Sequence, residues 1–229
     1  MGGKKKKPSL IVFDLNGVLI DVSDACCSAV KKTAEFFLGR ILDDQKIPMN
    51  HGHGLTDVFE ASERLIAKHT ENTFRRHAVM KKFQEFYIGR NLNGYILDEQ
   101  PLVDPKWLRK FKRTKLAIVT DRHPREAAYV LRRFKLLDHF KDIVGIEEWE
   151  EENNPSADMT NLIRKLKGKK KDTVYIAGSS DGLKISNEAN VPFIGVVPPN
   201  ADKDIYKEKM QDSGANIILD SIQDLPKLF

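Results

Sequence analysis

The chain has 229 residues, 41% of them apolar and 31% charged, with a formal net charge of +5. That length suits one α/β core with a modest insertion, and no apolar run approaches the ~20 residues needed to cross a bilayer. The start, Met1–Pro8, lacks the apolar stretch of a secretory leader, and Lys6 stands where a myristoylation signal at Gly2 wants Ser or Thr.

Residues 9–13 form a short apolar run that reads as a buried strand, ending at Asp14 and a Gly17 turn. Ser23 is placed to cap a helix from Asp24 to about Gly39, with Ala25, Val30, Ala34, Phe36 and Phe37 as its apolar positions. The two cysteines, Cys26 and Cys27, are neighbours on that helix and cannot staple the fold. Together with the missing leader, they predict a reducing, cytoplasmic setting. Residues 47–56 are turn-rich, and two amphipathic helices follow over 56–69 and 72–89. A strand over 116–119 ends in Thr120 and Asp121, and a helix spans 125–135. Ile143-Val144 is a short strand, and Pro155 and Asp158 open a helix to about 167. A strand at 174–177, a helix at 182–190, a strand at 193–197, a helix at 202–212 and a strand at 217–219 complete the chain.

Strands therefore alternate with helices over 115–219, which predicts a doubly wound, Rossmann-like parallel sheet with helices on both faces. The stretch 21–100 breaks the alternation and is wholly helical. The expected division is an α/β core of residues 1–20 and 101–229 with a helical cap of residues 21–100 inserted after the first strand.

Positive charge is concentrated in three runs, Lys4–Lys7, Arg109–Lys115 and Arg164–Lys171. Solvated helix ends and an N-terminal arm are the preferred reading. Nucleic-acid binding is the alternative, because no helix-turn-helix, zinc-finger or RNA-binding signature accompanies the charge.

In an open α/β sheet, ligands sit beyond the carboxyl ends of the strands. Three predicted strand ends carry candidate residues: Asp14, Thr120, and the turn Gly178-Ser179-Ser180-Asp181. A carboxylate ending an apolar strand must be paired, solvated or metal-bound. Four segments in order, Phe13–Ser23, Ile118–Glu126, Asn154–Asp158 and Ala177–Asn190, resemble the four motifs of the haloacid dehalogenase superfamily. The helical insertion lies in the gap that its subfamily IA uses for a helical cap, and the tail from Gly214 to Pro226 resembles that subfamily's last strand and helix.

The resemblance implies a mechanism. The first Asp attacks phosphorus, giving an aspartyl-phosphate. The Asp two residues on donates and accepts the proton. A Thr and a Lys hold the phosphoryl oxygens. Mg²⁺ sits on the first Asp, a backbone carbonyl two residues on, and acids of the fourth motif. Asp14 then keeps the nucleophile and Thr120 the phosphoryl donor. Asn16 stands where the acid–base Asp belongs, Asn154 where the Lys belongs, and Ala177 and Gly178 where the metal-binding acids belong. Asn16 can offer only its backbone carbonyl to a metal, and Asp181 is the one further acid for Mg²⁺.

Asp121, Arg122, His123 and Ser179 are candidates to contact substrate, Arg122 and His123 by supplying positive charge to an anionic ligand; His51, His53 and Asp57 lie on a loop resembling the cap loop of one subfamily branch, read as a flexible polar loop, with a metal site or a contact to substrate or partner as the alternatives. The expected function is a phosphatase-like hydrolase, weak or inactive, that takes a small phosphorylated molecule or an unknown protein and has no membrane partner. An active phosphomonoesterase using Asp181 is the alternative. A metal-free dehalogenase, with Lys165 or Lys167 in the empty lysine position, is a further one.

Overall fold

A computed structural model of the chain describes residues 7–43, 55–146 and 154–229. Strand β1 (Leu10–Phe13) is wholly buried. A tight loop leads to β2 (Ile20–Asp21), and three helices follow: α1 (Ser23–Leu38), α2 (Leu55–Ala67) and α3 (Arg76–Ile88). The chain then runs through β3 (Gln100–Pro101), α4 (Pro105–Leu108), β4 (Lys115–Val119), α5 (Pro124–Arg133) and β5 (Ile143–Val144). It ends with α6 (Pro155–Lys165), β6 (Thr173–Ala177), α7 (Ser180–Ala189), β7 (Phe193–Val196), α8 (Lys203–Asp212) and β8 (Ile218–Leu219).

Six strands form one parallel sheet in the order β5-β4-β1-β6-β7-β8. The central register sets Leu10 opposite both Lys115 and Thr173, so β4, β1 and β6 begin level with one another. The near-continuous apolar runs of these strands follow from burial on both faces. Leu10, Val12, Ala117, Val119, Tyr175 and Ala177 pack with Met159, Leu162 and Ile163 of α6. Phe13 meets the edges of Trp107 and Phe140, at centroid distances of 6.4 and 6.2 Å. Each such fully buried side chain contributes roughly 1.5–3 kcal/mol over its exposed state. This parallel α/β architecture is the one the alternation predicts.

The chain divides into two compact units, Met1–Ile20 with Pro101–Phe229, and Asp21–Gln100. Within the second, Ala34, Leu42, Ile66 and Val79 build a core, and Phe83 stacks on Tyr87 and meets the edge of Phe59. The buried Glu99 carboxylate accepts a hydrogen bond from the Tyr87 hydroxyl. No described helix is long and apolar enough to cross a membrane.

Three local expectations change. Ser23 lies inside α1 rather than capping it; the carboxylate of Asp21 accepts from the Ser23 N–H at 2.9 Å and serves that end instead. The second amphipathic helix begins at Arg76, not at residue 72, because the Thr70 hydroxyl accepts from the Asn72 N–H (3.1 Å) and forms a local turn. The segment after β8 is a short 3₁₀ stretch, Ile222–Lys227, with Pro226 inside it. Cys26 and Cys27 are both free thiols, as their adjacency requires.

Candidate functional site

The carboxyl ends of β1 and β4 bring together residues far apart in the chain. Asp14 extends the β1–β6 ladder, its N–H donating to the Ile176 carbonyl at 2.8 Å. Thr120 does the same for β4, donating to the Val144 carbonyl at 3.0 Å. Both are thereby fixed at strand ends by main-chain bonds. Beyond Asp14 the chain turns sharply: the N–H groups of Leu19 and Ile20 return to the Leu15 carbonyl at 3.0 and 3.1 Å, and Gly17 takes φ +70°. Only glycine adopts that conformation without strain, which explains the Gly after Asn16.

The Asn16 side chain is buried and clamped from two sides. Arg122 Nε donates to its Oδ1 at 2.7 Å, and its Nδ2 donates to Asp121 Oδ1 at 3.2 Å. A guanidinium can only donate and a carboxylate can only accept, so the two partners fix the orientation of the amide. Arg122 is itself only 3% exposed. Its backbone N–H donates to Thr120 Oγ1 at 3.3 Å, which leaves the Thr120 hydroxyl hydrogen available to an oxyanion.

Asp14 is half-buried, and its Oδ1 accepts from the Leu15 N–H at 2.7 Å. Burial holds its carboxyl well above the usual carboxylate range, and the Asp121 charge adds to the rise; the Leu15 N–H and Arg122 oppose it. Burial also raises the Tyr175 phenol, with the charges of Asp14 and Asp121 adding to that rise, so Tyr175 is a neutral neighbour.

Other predicted residues serve helix ends. Asn154 is exposed and caps α6, its Oδ1 accepting from the Ala157 N–H at 3.0 Å and the Ser156 hydroxyl at 2.8 Å. Ser179 caps α7 through the Gly182 N–H at 3.0 Å. His123 caps α5, its Nδ1 accepting from the Arg125 N–H at 3.1 Å. Asp181 is exposed in the first turn of α7. Lys165 is paired with Asp142 at 2.7 Å, and Lys167 is exposed. His51 and His53 lie outside the described residues, as does the side chain of Asp57.

Phosphatases of the superfamily resembled above generally use Mg²⁺, so the donors present can be tested for fit. Among the described residues no group of three or more His, Cys, Asp or Glu side chains could hold a metal ion. The fourth motif offers Ala177 and Gly178, and a Cβ added at Gly178 would stand 3.2 Å from Pro198 Cγ and 3.4 Å from the Val196 carbonyl oxygen. A carboxylate there would need Pro198 to move. With Asp121 bound to the Asn16 amide, these motifs offer Mg²⁺ the Asp14 carboxylate alone, beside the resident Arg122 cation, and that set does not fit an ion that fills a near-octahedral shell from carboxylates, phosphate oxygens and water.

A parallel sheet in this strand order carries an Asp and a Thr at the ends of adjacent strands, the end at which α/β cores bind their ligands. The sequence profile of the haloacid dehalogenase-like hydrolases matches residues 11–196, and the chain belongs to that family. No curated protein matches the chain significantly. Among solved structures, a Clostridium difficile protein assigned as a phosphatase superposes with a TM-score of 0.77 at 17% identity, covering 98% of this chain and all of its own. A predicted phosphoglycolate phosphatase of Haemophilus somnus gives 0.73 at 19% identity, covering 97% and 98%. A subfamily IA hydrolase of Geobacter sulfurreducens gives 0.62 at 12% identity, covering 96% of each chain. At these identities the likeness is one of fold.

Proposed function

We propose that this phosphatase-like protein binds a small phosphorylated molecule at Asp14 and Thr120 but turns it over weakly or not at all. The observation that carries this reading is the clamp on Asn16. The residue two positions after the nucleophile is an amide, with each end committed to a charged partner. It has no proton to give a leaving oxygen and cannot accept one from water near neutral pH. General acid–base help is worth about 10²–10⁴-fold in such reactions, and one lost electrostatic donor about 10²–10³-fold. Losses acting on one transition state do not simply multiply, yet either alone is large. Asn154, spent on capping α6, brings no cation to compensate.

The test is hydrolysis of p-nitrophenyl phosphate with and without Mg²⁺, in the native chain and in Asp14→Asn. The expected result is native turnover no more than about tenfold above the Asp14→Asn background, with inorganic phosphate still bound in calorimetry. Mg²⁺-dependent turnover a thousandfold above that background would overturn the reading.

A further inference from the structure

The amino ends of the strands carry a second feature, independent of the Asp14 centre. Basic residues from three runs far apart in the sequence come together there. Lys7 precedes β1, Lys110, Lys112 and Arg113 precede β4, and Lys169 and Lys171 precede β6. Two main-chain hydrogen bonds and one from a side chain tie the three approaches together. The Ser9 N–H donates to the Asp172 carbonyl at 2.8 Å, the Lys115 N–H to the Ser9 carbonyl at 3.0 Å, and the Thr114 hydroxyl to the Pro8 carbonyl at 3.1 Å. Adjacent strands lie about 4.8 Å apart. The register that starts β4, β1 and β6 level therefore lines the cations along one edge of the sheet.

These six side chains are exposed, and none forms an ion pair with a described residue. Elsewhere exposed lysines do find acids: Lys32 with Glu35, Lys165 with Asp142 and Lys227 with Asp224. Like charges brought together by the fold raise its free energy unless a polyanion neutralises them. The edge is also concave. A cavity of about 360 Å³ is lined by Lys7, Lys110, Lys112 and Arg113 together with Pro226 and the half-buried Phe229.

We propose that this edge is a binding groove for single-stranded nucleic acid. A basic track beside an aromatic ring is the combination that holds a sugar–phosphate chain and stacks a base without reading sequence. A membrane surface fits less well, because no large exposed apolar side chain is among the residues that line this cavity. The groove is about 15 Å from Asp14 along strands of four and five residues, so the two sites can be tested separately.

The experiment is fluorescence anisotropy with a labelled 16-nucleotide single strand, on the full chain, between about 50 and 200 mM salt. The expected result is micromolar binding at low salt. Log K should fall against log salt with a slope of roughly −2 to −4, at about −0.7 per phosphate neutralised. Lys110→Glu/Lys112→Glu/Arg113→Glu should weaken binding at least tenfold, and so should the separate loop variant Lys169→Glu/Lys171→Glu. Arg132→Glu/Lys184→Glu/Lys209→Glu, with the same net charge as the first variant but changed elsewhere, should bind as the native chain does, and so should Asp14→Asn. Circular dichroism melting establishes that each variant is folded. If the native chain fails to bind, if the charge-matched control loses binding equally, or if only vesicles containing anionic lipid are bound, the proposal is wrong.

Discussion

At the carboxyl ends of β1 and β4 charge is buried and committed; at the amino ends of the same strands it is exposed and uncommitted. Asp14, Asp121 and Arg122 share a small volume with Asn16 wedged among them, and two hydrogen bonds fix the amide. Lys110, Lys112 and Arg113 stand in water. The contrast teaches where each kind of charge can act. A buried network sets geometry and is costly to disturb, since an unsatisfied buried group loses its full solvation. An exposed row does little for stability and is free to attract a counter-charge.

The largest effect separating the two edges is expected from Arg122→Met. It removes the donor to Asn16 Oδ1 from a site with almost no access to water. Urea denaturation should show a loss of about 1–3 kcal/mol; a loss under about 0.5 kcal/mol would mean that the clamp is not a stabilising feature.

Next comes Asn16→Asp, which sets a new carboxyl 3.2 Å from Asp121 Oδ1. Three carboxyl groups would then share one guanidinium, and the new one would be raised above its unfolded value. The folded protein would bind more protons than the unfolded chain above about pH 4, so its stability relative to native falls as pH rises. The deficit should be absent below about pH 4 and reach about 1–2 kcal/mol at neutral pH. Melting curves at pH 4, 6 and 8 check the trend; a deficit that does not grow with pH breaks the argument.

The smallest effect belongs to the exposed edge. Lys112→Ala/Lys171→Ala should leave stability within about 0.5 kcal/mol, tending upward at low salt as repulsion is relieved. A clear loss in the same urea assay would show that these lysines hold the fold together after all.

Much of the architecture can be read from the sequence because its signals are local. The apolar runs at Leu10–Phe13 and Leu116–Val119 can only be strands buried on both faces, and Pro155 at the first turn of α6 marks its start. Asp14 and Thr120 stand out because a polar residue closes each run. The partners of Asn16 do not stand out. Asp121 and Arg122 lie 105 and 106 residues away, and no periodicity links an amide to a carboxylate and a guanidinium that the sheet register brings together. The same holds for the basic edge, whose runs become one surface only once β4, β1 and β6 are aligned. The exchange of roles between Ser23 and Asp21 turns on backbone angles at a helix start, where two polar neighbours compete on nearly equal terms. Strands of two residues, such as β2 and β3, are too short for any pattern to announce them.

The wedge at Asn16 has a historical side. A single nucleotide change turns an asparagine codon into an aspartate codon, so on the proposed reading one step separates Asn16 from a side chain that could carry a proton. Asp121 makes that step unfavourable, since the restored acid meets a resident negative charge. A second change at Asp121 would have to come first or arrive together with it. On the proposed reading, the side chains that fit the amide thus oppose its exchange for an acid and keep the centre as it stands.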